Sequence, residues 1–451
     1  MNQGSSAAAA RDRAAKYDVI VIGGGPAGTT AAGFLALDDR RVLVLEKEKL
    51  PRYHIGESLL SATLPIFDAL GVMPAIENAG FIKKPGGTFV WGRGSDPWSF
   101  YFRDDPGGRP HAFHVVRAEF DHILFKHAGQ LGADVREQHR VRQVRCDDGV
   151  RVSATNAAGD VVEFAADYLI DASGQDAFLG ARDDLRQFNP FFKNLAIFGY
   201  FTGAERLNGA VAGNILSAAF EDGWFWFIPL HDGTTSVGAV VDAQRFAGKA
   251  ANDVEGLYRR LIAKCGAVAE RLRSGRLVSP VRVIRDYSYN SRQFYGARFL
   301  LAGDAACFID PVFSTGVHLA CMSGYLAAQS LNKVLAGEPA NDRFAEYDAR
   351  YRSLFERYLN FLYFFYDHHC DASSYFWQAR KLLGTAAPAE ARTAFVHLIS
   401  GAADFDDARM AAALAERHAR MAEALSRGRF AAVPDGALFR SRATERELKN
   451  D

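Results

Sequence analysis

Residues 17–28 read Tyr17-Asp18-Val19-Ile20-Val21-Ile22-Gly23-Gly24-Gly25-Pro26-Ala27-Gly28, a β-branched apolar run that breaks into glycines. Gly23, Gly25 and Gly28 fit G-x-G-x-x-G. In that pattern the first glycine permits a tight turn, the second lets backbone approach a pyrophosphate, and the third lets helix pack closely on strand. Pro26-Ala27 sits where a helix starts, and the stretch to Leu37 is helix-compatible. A helix N-terminus offers N–H groups and a positive dipole end to an anion. A second apolar run, 41–45, ends in Glu46, at about the 20-residue offset of a ribose-binding acid. A lone glycine fingerprint could be a structural turn. Strand, turn, helix, strand and acid in order argue for a dinucleotide, without separating FAD from NAD.

Working outward, the 451-residue chain is long enough for two or three units around large cores. Lys+Arg and Asp+Glu both total 53, so no net field draws nucleic acid or anionic lipid, and neither is expected as a partner. Five scattered cysteines without a CxxC pair favour buried thiols in a reducing compartment. Residues 1–16 lack an apolar core segment and read as a disordered tail rather than a signal peptide. The most apolar stretch, near 359–366, is far short of the ~20 residues a membrane span needs. The expected location is cytoplasmic.

Residues 57–70 and 117–131 show helical spacing, and 141–171 reads as a β-meander returning to Leu169-Ile170-Asp171. Strands dominate 190–285, with a helical insert near 253–273. A strand at 296–302 and a helix at 315–336 follow, and the chain is helical from about 341. The expected fold class is α/β, or α+β: a Rossmann-type FAD-binding domain with an antiparallel-sheet substrate domain and a helical C-terminal region. The expected bounds are 17–80, 112–190 and 286–340 for the first, 81–111 and 191–285 for the second, and 341–451 for the third.

A second cofactor element lies far downstream. Leu300-Leu301-Ala302-Gly303-Asp304 is a strand running into Gly-Asp, followed by Asp310-Pro311 and Ser314-Thr315-Gly316 at a helix start. Such a helix start could equally be a plain N-cap. With Asp171-Ala172-Ser173-Gly174 and the first fingerprint, these segments resemble the flavoprotein monooxygenase fold, which settles the cofactor as FAD. The resemblance implies that Asp304 holds the ribityl chain and that Arg117 lies along the cofactor. Lys47, Arg52, Ser58, Asp171, Gly303, Pro311 and Gly316 are expected beside it too.

Gly223-Trp224-Phe225-Trp226-Phe227-Ile228-Pro229 narrows the class. On a strand, Trp224, Trp226 and Ile228 share a face. From spacing alone they could be two core tryptophans, but W-x-W-x-I-P resembles the signature of flavin-dependent halogenases. In that family the indoles wall the flavin off from the substrate. Reduced flavin, delivered by a separate flavin reductase, reacts with O2, and chloride is oxidised to hypochlorous acid. A lysine passes the oxidant to an electron-rich ring. The resemblance places chloride at the backbone amides of Thr315 and Gly316, and the lysine at Lys84, in Phe81-Ile82-Lys83-Lys84-Pro85-Gly86-Gly87. Apolar neighbours can desolvate that amine and lower its pKa. Lys83 is the rival candidate.

Phe313 stands where tryptophan halogenases carry a glutamate. Gly56-Glu57-Ser58 and Pro311-Val312-Phe313-Ser314-Thr315-Gly316 are instead similar to the branch acting on phenolic and pyrrole rings, often tyrosyl groups tethered to a peptidyl carrier protein. Leu354, Phe355, Tyr358, Phe361, Leu362 and Phe365 recur at helical spacing. That stripe could be core, a chamber roof or a carrier-docking face. His368-His369-Cys370 point in different directions on a helix, so no metal is expected. The rivals are an NAD(P)H-dependent aromatic hydroxylase and a non-catalytic flavoprotein. The tryptophan strand and Lys84 discriminate against the first, and retention of Lys84 with Thr315-Gly316 argues against the second.

Overall fold

The computed structural model describes residues 17–92, 96–106, 108–285, 288–367, 372–383, 388–406 and 408–426. The tail 1–16 and the His368-His369-Cys370 run lie outside them. The strand Tyr17–Ile22 is central in a seven-stranded sheet, parallel to Val42–Leu45 on one side and to the end of Val161–Asp171 on the other. Asp134–Arg136 and Phe299–Leu301 extend this parallel core outward. A parallel strand is covered on both faces, hence its nearly continuous apolar run. The first half of Val161–Asp171 turns instead to the antiparallel meander Arg140–Cys146 and Val150–Thr155.

The helix Pro26–Leu37 is buried on nearly all sides. It packs against Gly316–Leu335, where Gly324 makes the fit possible: a Cβ there would meet the Ala27 carbonyl oxygen at 2.4 Å. Residues 57–60, expected to be helical, are extended. Leu59 N–H donates to Phe113 O and Val115 N–H to Glu57 O, so the segment is held against the 112–114 strand and the α-helix starts only at Leu64.

The second sheet has eight strands and is antiparallel apart from the parallel pairing of Ile215–Phe220 with Gly86–Val90. Its strands Asn194–Thr202, Ile215–Phe220, Gly223–Pro229 and Thr235–Asp242 alternate between two cores. Phe225 and Phe227 face the helices at 243–271, a longer helical insert than expected, while Trp224, Trp226 and Ile228 face the main core. The helices Ala340–Phe365, Ala372–Leu383, Ala391–Ile399 and Ala408–Ser426 complete the described chain. The architecture is therefore α/β, with mixed sheets and a helical C-terminal region. No helix among the described residues is long and apolar enough to cross a membrane.

Candidate active site

The parallel strands 17–22, 42–45, 161–171 and 299–301 all end at one cavity of about 640 Å³, within the ~300–1,000 Å³ of cofactor pockets. Crevices at the carboxyl ends of such strands are where open α/β sheets take their ligands. Gly23 has φ +103°, and a Cβ would lie 2.3 Å from Ala172 O. A Cβ on Gly28 would lie 2.0 Å from Gly23 O. Gly25 differs, because a Cβ there would meet only the Arg52 guanidinium, at 3.7 Å. With no side chain capping the helix that begins at Pro26, the space beside Gly25 suits the pyrophosphate of a dinucleotide. Gly25, Pro26 and Ala27 line the cavity, whereas Gly28 lies behind it.

Glu46 is buried on the cavity wall. Its oxygens accept from Gly24 N–H and Glu48 N–H, both at 2.9 Å, with Arg52 3.6 Å away. Behind it, Asp121 receives Arg52 Nη1 at 2.8 Å and the Arg117 fork at 2.8 and 3.1 Å. Burial alone would raise the Asp121 carboxyl, but the two guanidinium groups outweigh it and hold the group below the usual range. Arg117 also donates to Ile55 O and Gly56 O, fixing the cavity loop 52–58.

Asp304 also lines the cavity, while Gly303, with φ +60°, lies behind it. Burial raises the Asp304 carboxyl to about 7, opposed by Arg117. Pro311, Ser314 and Gly316 reach the cavity; Thr315 is buried just behind. No side chain caps the helix that follows, and Ser314 takes a left-handed conformation (φ 61°) to turn the chain there. Lys47 lines the cavity but pairs with Asp176. Ser58 lines it too, with its buried Oγ lacking a hydrogen-bond partner. Asp171 lies off the lining: its oxygens accept Ser173 N–H at 3.1 Å and Leu179 N–H at 2.7 Å, ordering the turn whose residues 172–174 face the cavity.

Trp224, Trp226 and Ile228 form one cavity wall. Trp226 lies flat over Gly238, where a Cβ would fall 2.1 Å from the indole, so glycine is what admits the ring. The Trp226 Nε1 donates to Ser236 Oγ and the Trp224 Nε1 to Tyr366 Oη. Lys84 is 2 % exposed and outside the cavity lining. Its Nζ donates to Leu59 O at 2.9 Å and lies 5.4 Å from the Phe102 ring centroid. Among the described residues it has no carboxylate partner, and burial lowers its pKa to about 7. Lys83, next to it, is exposed.

This arrangement has known relatives. The profile of the tryptophan halogenase family matches residues 18–109 and 104–410. The chain belongs to that family. It is 36% identical over 409 residues to a tryptophan 2-halogenase of Chondromyces crocatus, covering 88% of this chain and 78% of that protein. It is 35% identical over 371 residues to a flavin-dependent halogenase of Armillaria mellea, covering 76% and 72%. Among solved structures, the myxobacterial chondrochloren halogenase, described as a variant of the FAD-dependent halogenases, superposes with TM-score 0.75 at 42% identity over 87% of this chain and 91% of that one. The flavin-dependent halogenase CmlS gives TM-score 0.75 at 31% identity, covering 92% and 78%. The chain is thus a flavin-dependent halogenase: FAD is its cofactor, with a halide and O2 as small substrates.

Within this halogenase the structure adds residues that sequence reading passed over. Tyr366 Oη donates to Asp310 Oδ2 at 2.6 Å while accepting from Trp224, tying the indole wall to the loop that opens the 316–335 helix. Burial raises the Asp310 carboxyl to about 6, with Tyr366 opposing. Phe313 stacks on Phe361, centroids 5.3 Å apart, so the position before Ser314 is packed with aromatic surface. The Leu354–Phe365 stripe is buried throughout, which excludes it as an exposed docking face.

Proposed function

We propose that this halogenase is an FADH2-dependent chlorinase in which Lys84 carries the oxidising chlorine equivalent to an electron-rich aromatic ring. The observation carrying the reading is the Lys84 environment. A buried amine held by one carbonyl and one aromatic face is neutral in about half of molecules near pH 7, so a lone pair is available for nucleophilic attack on hypochlorous acid. When bound, reduced FAD supplies the reducing equivalents that activate O2. Gly25, the uncapped helix at Pro26 and Arg52 would hold its pyrophosphate, Glu46 its ribose, and Asp304 its ribityl chain. Amides at Thr315 and Gly316 would hold chloride at an uncapped helix end. The indole wall keeps the aryl substrate from the flavin and leaves the small oxidant to travel.

The substrate we propose is a phenolic or tyrosyl group on a peptidyl carrier protein, with reduced flavin delivered by a separate reductase. Phe313 in place of a glutamate supports a branch other than the one acting on free tryptophan. The test supplies reductase, FAD and chloride with free and carrier-loaded phenols, and reads products by mass spectrometry. Lys84→Ala should cut aryl chlorination by about 10³-fold while FAD binding and hypochlorous acid formation persist. Full chlorination by that variant, or efficient turnover of free tyrosine, would sink the respective part of the reading.

A further inference from the structure

The cavity loop 52–58 carries one acid that the chemistry above leaves unused. Glu57 is 2 % exposed and lines the cavity. Its Oε1 accepts from Tyr200 Oη at 2.7 Å, and its Oε2 accepts from Gly56 N–H at 3.2 Å. Tyr200 Oη in turn lies 3.1 Å from Tyr53 Oη, with the two rings edge to face. Tyr53 is 42 % exposed and, like Glu57, lines the cavity, so the three groups form a continuous chain between an exposed phenol and the buried acid. Tyr200 belongs to the sheet face that carries the indoles, since it pairs with Ser236, the partner of Trp226 Nε1.

We infer that Tyr53, Tyr200 and Glu57 form a proton relay from solvent into the flavin cavity. Halogenation by a reduced flavin anion consumes protons: FADH− + O2 + X− + ArH + 2 H+ gives FAD + ArX + 2 H2O. In the relay the Glu57 O–H breaks as an O–H forms on an O2-derived oxygen that leaves as water. The electron pair of the broken bond stays on the carboxylate, which then takes the Tyr200 proton. Tyr200 is refilled by Tyr53, and Tyr53 by solvent water.

The surroundings shift Glu57 toward its protonated form. No ion pair reaches it among the described residues. Burial raises its carboxyl, while Tyr200, the Gly56 amide and the Arg117 charge oppose the rise. Burial above all keeps both phenols protonated at neutral pH. Arg282 stacks 4.2 Å from the Tyr53 ring centroid and, with Arg117, favours the opposite direction. His54 next to Tyr53 is held neutral, lowered to about 4 by burial and then by Arg117.

This inference rests on flavin occupying the cavity and is independent of Lys84. The experiment uses the holoenzyme and its Glu57→Gln, Tyr200→Phe and Tyr53→Phe variants, and reads hypochlorous acid captured by a soluble scavenger. That readout involves neither the aryl substrate nor Lys84, so it stands even where Lys84→Ala still chlorinates. FAD titration and a solvent isotope effect are measured alongside, with an infrared pH titration of the apo-protein. Glu57→Gln and Tyr200→Phe should lower kcat for oxidant formation by about 10²-fold with FAD affinity near that of the parent. Tyr53→Phe should fall less, because water can replace its hydroxyl. The protonated-carboxyl band of the apo-protein should titrate above the ordinary glutamate range and vanish in Glu57→Gln. Parental kcat and isotope effect in both Glu57→Gln and Tyr200→Phe would overturn the relay. So would weakened FAD binding with full kcat at saturating FAD, which makes Glu57 a cofactor ligand.

Discussion

Two buried basic regions of this molecule are treated in opposite ways. Within the cavity wall, Arg52 and Arg117 share the Asp121 carboxylate, and each guanidinium has fixed partners. Outside the cavity lining, Lys84 is buried with a backbone carbonyl and the Phe102 ring and, among the described residues, no counter-charge. Paired guanidinium groups stay charged and act as scaffolding for the loop 52–58. A dehydrated lone amine gives up its proton readily and becomes a nucleophile. Carboxylates thus sit where charge holds the loop in shape, and among the described residues none pairs with Lys84.

The largest expected effect comes from breaking the paired side. Asp121→Asn leaves two buried guanidinium groups without their shared anion. Unfolding in urea should show a loss of about 3–5 kcal/mol, with FAD affinity falling as loop 52–58 loosens. A change below ~1 kcal/mol would mean that the cluster is already well hydrated. A smaller effect sharpens the boundary between the regions. Gly238→Ala places a methyl where the Trp226 indole lies and should cost about 1–3 kcal/mol. It should also shift tryptophan fluorescence and uncouple oxidant formation from aryl chlorination. Unchanged coupling would separate the indole wall from substrate exclusion.

The readable parts of the sequence were those whose constraint is local. The turn at 23–28 could be recognised because Gly23 and Gly28 face backbone atoms within a few residues or across one strand pairing. The shared face of Trp224 and Trp226 followed from strand periodicity alone. Lys84 could be singled out only by resemblance, because its partners Leu59 and Phe102 belong to separate segments brought together by the fold. Asp171 was expected beside the cofactor through resemblance alone, and what its carboxylate does locally, ordering the following turn, had no signal in the sequence. Residues 57–60 carry helical spacing but are pulled into extended form by pairing with 113–115. Tyr366 and Asp310 were invisible as a pair, since 56 residues separate them and their link runs through one hydrogen bond.

The most direct test of the contrast is a heteronuclear NMR titration of the Lys84 amine in labelled protein, assigned by its loss in Lys84→Met. The account predicts a midpoint near 7. Because that folded value lies below the ordinary ~10.4, the stability of the parent should rise relative to Lys84→Met between those two pH values. A midpoint near 10, with no such difference in stability, would contradict it.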